Sequence, residues 1–241
     1  MKIFIFSLIT IVSSVLANDR IIFHHIPKTG GTSMKTLIHS HYSSDQICPK
    51  VFYYQNNKKS NYEPFKLVLG HILFCQLKSL SGKRITFLRN PVQLVLSASR
   101  YKQQVHPKLF TRRTFIPHGD PLKTLQNLQC HFLSSFDPRN KKIPDRQHLK
   151  SAKRNLRKFF FVGITEDMDA GAPILCKMLG YPPPKTAPHI NQTRPPQKAY
   201  SEKLIQEIRE RNWADIELYN YAKKLYLTKF KTKVAENPSF R

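Results

Sequence analysis

The stretch Ile22-Phe-His-His-Ile-Pro-Lys-Thr-Gly-Gly-Thr-Ser33 constrains the fold more than any other part of the 241-residue chain. Ile21, Ile22 and Phe23 are β-prone, and Met34, Leu37 and Ile38 recur at helical spacing after two adjacent glycines. The pattern predicts a strand that runs into a glycine turn and opens a helix. Such a turn presents the amides of Gly30, Gly31, Thr32 and Ser33 at the positive end of a helix, a ready site for phosphate or sulfate. Lys28 adds charge, and Thr29, Thr32 and Ser33 add hydroxyls. A bare Gly-Gly turn would carry none of these extras.

The spacing also says which loop this is not. A Walker A loop places its lysine after the second glycine, whereas Lys28 precedes both. The cation therefore belongs to the strand side of the turn. Pro27-Lys-Thr-Gly-Gly-Thr-Ser33 resembles the 5′-phosphosulfate loop of sulfotransferases that use 3′-phosphoadenosine-5′-phosphosulfate (PAPS). The resemblance is to the Golgi carbohydrate and heparan-sulfate-type family and its bacterial relatives. A nucleotide kinase with a P-loop-like fold is the runner-up reading. It requires magnesium and a Walker B carboxylate after an apolar strand, for which the chain offers no convincing candidate.

A second anchor follows about sixty residues on, at Arg84-Ile-Thr-Phe-Leu-Arg-Asn-Pro-Val-Gln-Leu-Val-Leu-Ser-Ala-Ser-Arg-Tyr101. Ile85–Leu88 suit a buried parallel strand, and Pro91 suits the first turn of a helix. Val92, Val95, Leu96 and Ser99 then recur at helical spacing. Arg89 thus falls at the carboxyl end of a strand, where open α/β sheets bind ligands. Arg-Asn-Pro with Ser97 eight residues beyond Arg89 resembles the family's 3′-phosphate motif, which implies that Arg89 and Ser97 hold the nucleotide's 3′-phosphate.

Between the anchors lies Lys66-Leu-Val-Leu-Gly-His71. If it is a central strand, His71 projects from the same sheet edge as Lys28 and Arg89. Sulfuryl transfer to an alcohol needs a base for the hydroxyl proton, and histidine titrates near neutrality. Family members carry a histidine at the end of such a strand, which implies that role for His71. The alternatives are a histidine that merely packs at a strand end, or His25 as the base. Lys28 is expected to stabilise charge on the bridging oxygen. PAPS is the implied co-substrate, and no metal is expected, since no ligand spacing appears.

Weaker resemblances continue in order along the chain. Asn127-Leu-Gln-Cys-His-Phe-Leu-Ser134 looks like the helix after the family's variable acceptor loop, and Phe159–Glu166 like its late strand and turn, with a helix over 168–179. Ser201–Leu225 looks like a closing helical pair. In His189-Ile-Asn-Gln-Thr-Arg194, the resemblance implies nucleotide contact through Thr193 or Arg194, while Asn191-Gln-Thr193 is also a glycosylation sequon.

Forty basic against fifteen acidic residues give a formal charge of +25. A field of that sign suits nucleic acid, an acidic membrane or an anionic glycan such as a glycosaminoglycan; the family resemblance implies a glycan acceptor, anionic or neutral, and no nucleic acid. The segment Tyr101–Pro121 is basic and irregular, and Arg112, Arg113 and His118 are its candidate acceptor-binding residues. Asp145–Lys158 predicts a helix with Leu149, Ala152 and Leu156 inward and its cations outward, either solvated or facing a polyanion. A non-catalytic polyanion-binding protein on the same fold is the third reading.

Met1-Lys2, the apolar run to Leu16 and Ala17 resemble a secretory signal peptide over 1–17, or an uncleaved signal anchor as the only membrane attachment. The Golgi lumen or secretion is the expected destination. Cys48, Cys75, Cys130 and Cys176 allow three pairings if all four bridge. Residues 18–241 are expected to form a single α/β domain of P-loop-like sulfotransferase fold: a mostly parallel sheet flanked by helices, with main strands near 20–26, 66–71, 84–88 and 159–163.

Overall fold

A computed structural model describes residues 19–49, 51–52, 62–105, 125–185, 190 and 200–232. Within these the chain runs through β1 (Ile21–His24), α1 (Gly31–His39), β2 (Val51–Phe52), β3 (Leu67–His71), β4 (Lys83–Leu88) and α2 (Pro91–Val105). It continues with α3 (Leu128–Leu133), α4 (Asp145–Leu156), β5 (Phe161–Ile164), α5 (Met168–Leu179), α6 (Glu202–Arg211) and α7 (Trp213–Tyr226). The five strands form one sheet in the order β2-β3-β1-β4-β5. Every pairing is parallel, with Ile22 opposite Val68 and Arg84, and Leu88 opposite Ile164.

The apolar runs explain this topology. Strands buried on both faces read as continuous hydrophobic segments, and their alternate side chains feed two different cores. Ile21 and Phe23 of β1 join Leu67 and Leu69 of β3 in the larger core beneath α3, α4, α5 and α7. Ile22 and Val68 point the other way, into a smaller core with Ile72, Leu77 and Leu80. A third cluster joins α2 to α6 through Leu94, Val95, Ala98 and Ile208. Gly163 lets β5 lie against the Phe87 ring, where a Cβ would collide.

The chain leaves β1 toward β2 at one edge and leaves β4 toward β5 at the other. The carboxyl ends of β1 and β4 therefore flank a topological switch point, where such sheets open a ligand crevice. The loops carrying Lys28 and Arg89 are the two that border it.

The four expected strands and the parallel sheet are present, with ends that coincide or differ by up to two residues. The short β2 was not expected: it has too few residues to show a period. Helix α2 runs to Val105, so the start of the segment assigned to an irregular loop is helical. All four cysteines are free thiols, so none of the pairings is formed. Cys75 is half-buried and the other three are buried. Among the described residues no helix is long and apolar enough to cross a membrane. The proposed signal segment 1–17 and Asn191 lie outside the described residues.

Candidate active site

The glycine loop is built on two left-handed residues. Gly30 has φ +76° and is the N-cap of α1; Lys28 has φ +67°, rare for a side chain with a Cβ. Holding Lys28 there costs on the order of 1–3 kcal/mol, the kind of strain found at functional sites. Thr29 is buried, and its hydroxyl donates to the Ile26 carbonyl at 2.8 Å, closing the turn. No side chain caps the first turn of α1. The His25 ring lies so close over Gly31 that a Cβ there would collide with it, while a Cβ on Gly30 would meet Met168. The two glycines are therefore fixed by packing as well as by dihedral angle. Thr32 is exposed and Ser33 buried. The Ser33 hydroxyl accepts from the Ile190 amide at 3.1 Å, which brings that residue of the late chain onto the loop.

Arg89 reaches across the crevice. Its Nη1 donates to the Lys28 carbonyl at 2.9 Å, and its Nε is buried with no hydrogen-bond partner. An orphaned guanidinium nitrogen beside an uncapped helix start suits an anionic ligand with more than one oxygen. The backbone of Arg89 is clamped by Gln129, whose Oε1 accepts from the Arg89 amide and whose Nε2 donates to the Arg89 carbonyl, both at 2.9 Å. Thr165 ties the layers together, with its hydroxyl 3.0 Å from the carbonyls of both Thr29 and Leu88. Glu166 accepts from the Asn90 amide at 2.9 Å and from the Tyr219 hydroxyl at 3.0 Å.

The Lys28 ammonium sits 3.8 Å above the centre of the Tyr101 ring, a cation–π distance. Burial, then Arg89 and Arg100, lower its pKa to about 8. Burial also lowers Arg89, and Glu166 partly offsets this. Ser97 is buried in α2, one helical turn before Arg100 and Tyr101, so the three share a face.

His71 ends β3. Its Nδ1 lies 3.0 Å from the His25 carbonyl, and the His25 and His71 rings are 4.3 Å apart. An Nδ1–H donated to that carbonyl fixes the tautomer and leaves Nε2 as the acceptor. Burial lowers the pKa of His71 below its usual 6.5, so the ring is neutral at physiological pH. His25 is pushed down further, by burial and by His71, Lys28 and Lys35. His24 is fully buried between Arg84 and the Ile72 carbonyl, away from the crevice chemistry.

Lys28, Thr29, Gly30, Gly31 and Ser33 follow the carboxyl end of β1, Arg89 follows that of β4 and His71 ends the neighbouring β3, so all lie at one edge of the sheet, with Thr32 exposed on α1 and Ser97 in α2. Arg112, Arg113, His118, Thr193 and Arg194 lie outside the described residues. Sequence reasoning missed Arg100, Tyr101 and Gln129. The first two follow Ser97 by three and four residues, a helical signal that pointed to the same face. Gln129 carried no local signal, because its partner is a backbone forty residues away.

A family model described as "Sulfotransferase family" matches residues 14–222. Among solved structures, the mouse sulfotransferase SULT7A1, solved in complex with PAP, matches with 13% identity and a TM-score of 0.39. That match covers 83% of this chain and 66% of the mouse chain, just under two thirds. Among curated proteins, none matches.

Proposed function

The chain belongs to the sulfotransferase family, and from that premise we propose that it transfers a sulfuryl group from PAPS to a hydroxyl of a carbohydrate acceptor, an acidic glycan of the glycosaminoglycan type. The observation that carries this reading is the junction of Arg89 with the Lys28 loop. There one guanidinium holds the loop by Nη1 and keeps a buried Nε in reserve for an oxyanion.

PAPS would supply the activated sulfuryl group and leave as the 3′,5′-bisphosphate. Every other part of the chemistry falls to the chain's own residues. The start of α1 and the hydroxyls around it suit the 5′-phosphate, and Arg89 with Ser97 suits the 3′-phosphate. Lys28 balances the charge that develops on the bridging oxygen as the sulfur–oxygen bond breaks. To do so it must leave the Tyr101 ring, and cation–π contact is weak enough to exchange for a phosphate oxygen. His71 Nε2 takes the acceptor's proton as its oxygen bonds to sulfur. The imidazolium so formed is stabilised by the Nδ1–H donated to the His25 carbonyl. Fixed cations of this kind act by positioning and charge stabilisation, needing no movement at the moment of reaction.

The acidic-glycan acceptor follows from the net charge of +25 and from the exposed cations of α4, namely Arg146, Lys150 and Arg154 at one-turn spacing. A lumenal or secreted site of action is part of the same proposal, since such acceptors and the N-terminal apolar run belong to the secretory pathway. The test is transfer of label from sulfur-labelled PAPS to a panel of desulfated heparan, chondroitin and neutral glycans. Label on an acidic glycan supports the reading. Failure to label any glycan, together with no PAP binding by calorimetry, overturns it.

A further inference from the structure

Away from the carboxyl edge of the sheet, the junction of α3 and α4 carries a half-open polar cavity. It is lined by Gln126, His131, Asn140, Lys141, Asp145 and His148. His148 is only 1% exposed, and its Nδ1 is buried without a hydrogen-bond partner. A polar atom in that state costs on the order of 1–3 kcal/mol, and native chains rarely leave one unless something occupies the space beside it. The ring is held edge-on by His131, with centroids 4.7 Å apart, and by Phe136 at 6.0 Å.

The charges around the cavity select the occupant. Asp145 is already engaged: Oδ1 accepts from His131 Nε2 and Oδ2 from Asn127 Nδ2, both at 2.7 Å. Both of its oxygens are therefore turned to His131 and Asn127, and those bonds hold the carboxyl ionised, below its usual range. Helix α4 begins here with no side-chain cap, and the amides of Gln147 and His148 both turn back to the Pro144 carbonyl. The start of this twelve-residue helix meets the cavity wall through Pro144, Asp145 and His148, with the amides of Gln147 and His148 already satisfied. Lys141 is exposed at the rim and adds a full positive charge. Among the described residues no cluster of His, Cys, Asp and Glu has the geometry to hold a metal ion. Burial lowers His148 to about 4, so its ring is neutral near pH 7 and can offer an N–H to an oxygen acceptor.

We propose that this cavity is a second anion site, which takes a carboxylate or sulfate group of the acidic acceptor glycan. The inference rests on the carbohydrate reading above and adds to it a place where the acceptor is held apart from the reacting hydroxyl. Helix α3 links the two places. Gln129 clamps the Arg89 backbone, while His131 lines the cavity and bonds Asp145. An α-helix is about 10 Å across, so the transfer crevice and the anion site are separated by roughly one helix width.

The full chain is titrated with an acidic uronate-containing oligosaccharide, a neutral oligosaccharide and inorganic sulfate, while the ring nitrogens of His148 are followed by NMR. Lys141→Ala and His148→Gln are compared with wild type. The acidic oligosaccharide is expected to shift His148 Nδ1 and the neutral one is not. Lys141→Ala, an exposed position that leaves the fold alone, is expected to raise KM for the acidic acceptor about tenfold, the worth of one charge-assisted hydrogen bond, with KM for PAPS unchanged. A His148 signal that answers to inorganic sulfate alone, or an unaltered KM in Lys141→Ala, overturns the site. Sulfate transfer to a glycan with a silent His148 overturns the site and leaves the carbohydrate reading standing. A His148 shift with the acidic oligosaccharide, but no transfer to any glycan and no PAP binding, overturns that reading and leaves an acidic-glycan site without an acceptor role.

Discussion

The side chain of Arg89 and the backbone of Lys28 are joined by one hydrogen bond of 2.9 Å across the switch point of the sheet. The bond fixes the guanidinium with its Nε buried and unpaired. Lysine at position 89 could satisfy only one of these demands, because an ammonium is a point charge without the planar fork. Arg89→Lys is therefore expected to weaken PAP binding about 10- to 100-fold, with little change in melting temperature. Calorimetry against PAP measures it. Wild-type affinity in the variant would show that Arg89 only staples the loop.

The pKa of Lys28 gives a pH signature. Burial and the neighbouring cations lower it to about 8, so the free enzyme keeps a charged Lys28 below that pH and loses it above. Because kcat/KM reports groups of the free enzyme, its alkaline limb is expected near pH 8. Lys28→Arg should carry activity to higher pH, since a guanidinium stays protonated. Lys28→Ala should lower kcat by about 100- to 1,000-fold. An alkaline limb in the same place in Lys28→Arg would assign it to another group.

His71 sets the opposite limb. Burial holds its pKa below 6.5, so activity should fall only on the acid side of that value. Removing a general base costs about 100- to 10,000-fold in kcat. His71→Ala is expected to lose that factor with KM for PAPS unchanged. A larger loss in His25→Ala than in His71→Ala would move the base to His25, whose ring stands 4.3 Å away.

The parts of the site legible in the sequence are those where local chain geometry and chemistry coincide. The strand–glycine–helix run forced Lys28 and the loop into place, and Arg-Asn-Pro put Arg89 at a strand end. Periodicity predicted α4 with Leu149, Ala152 and Leu156 buried, as found. What stayed hidden depends on contacts distant in sequence. The left-handed φ of Lys28 has no residue signature, since glycine is the usual occupant. The Gln129 clamp, the packing of His25 on Gly31 and the orphaned Nδ1 of His148 each need the assembled fold. Among the described residues the two-residue β2 pairs with β3 alone.

Gly31 tests the packing half of the loop. Its φ is not left-handed, so alanine would be tolerated by the backbone, yet the Cβ would collide with the His25 ring. The ring must move, and with it the backbone carbonyl that orients His71. Gly31→Ala is expected to cost about 1–3 kcal/mol in stability, as overpacking does, and to lower kcat as well. Stability by urea unfolding and kcat are measured together. Gly31→Ala with unchanged kcat would uncouple His25 from the base.

Asp215 connects stability to the clamp on Arg89. It is buried in α7 and accepts from the amides of Gln129 and Cys130 at 2.9 and 2.8 Å, fixing the start of α3 and with it the Gln129 side chain. Burial raises its pKa to about 6, against the opposing pull of those two amides. A carboxyl with a raised folded-state pKa favours the folded state when protonated. Its contribution is complete below about pH 4, the unfolded value, and is lost as pH rises through about 6. A shift of that size corresponds to about 3 kcal/mol. Asp215→Asn keeps an acceptor oxygen but cannot ionise. Relative to this variant, wild type should lose up to about 3 kcal/mol of stability between pH 4 and pH 7, and level off above. Asp215→Asn should also raise KM for PAPS more than it lowers kcat, because the fault is passed to the position of Arg89. Urea unfolding of both proteins across that range measures the first effect. A stability difference that does not vary with pH would mean that Asp215 titrates at its ordinary value.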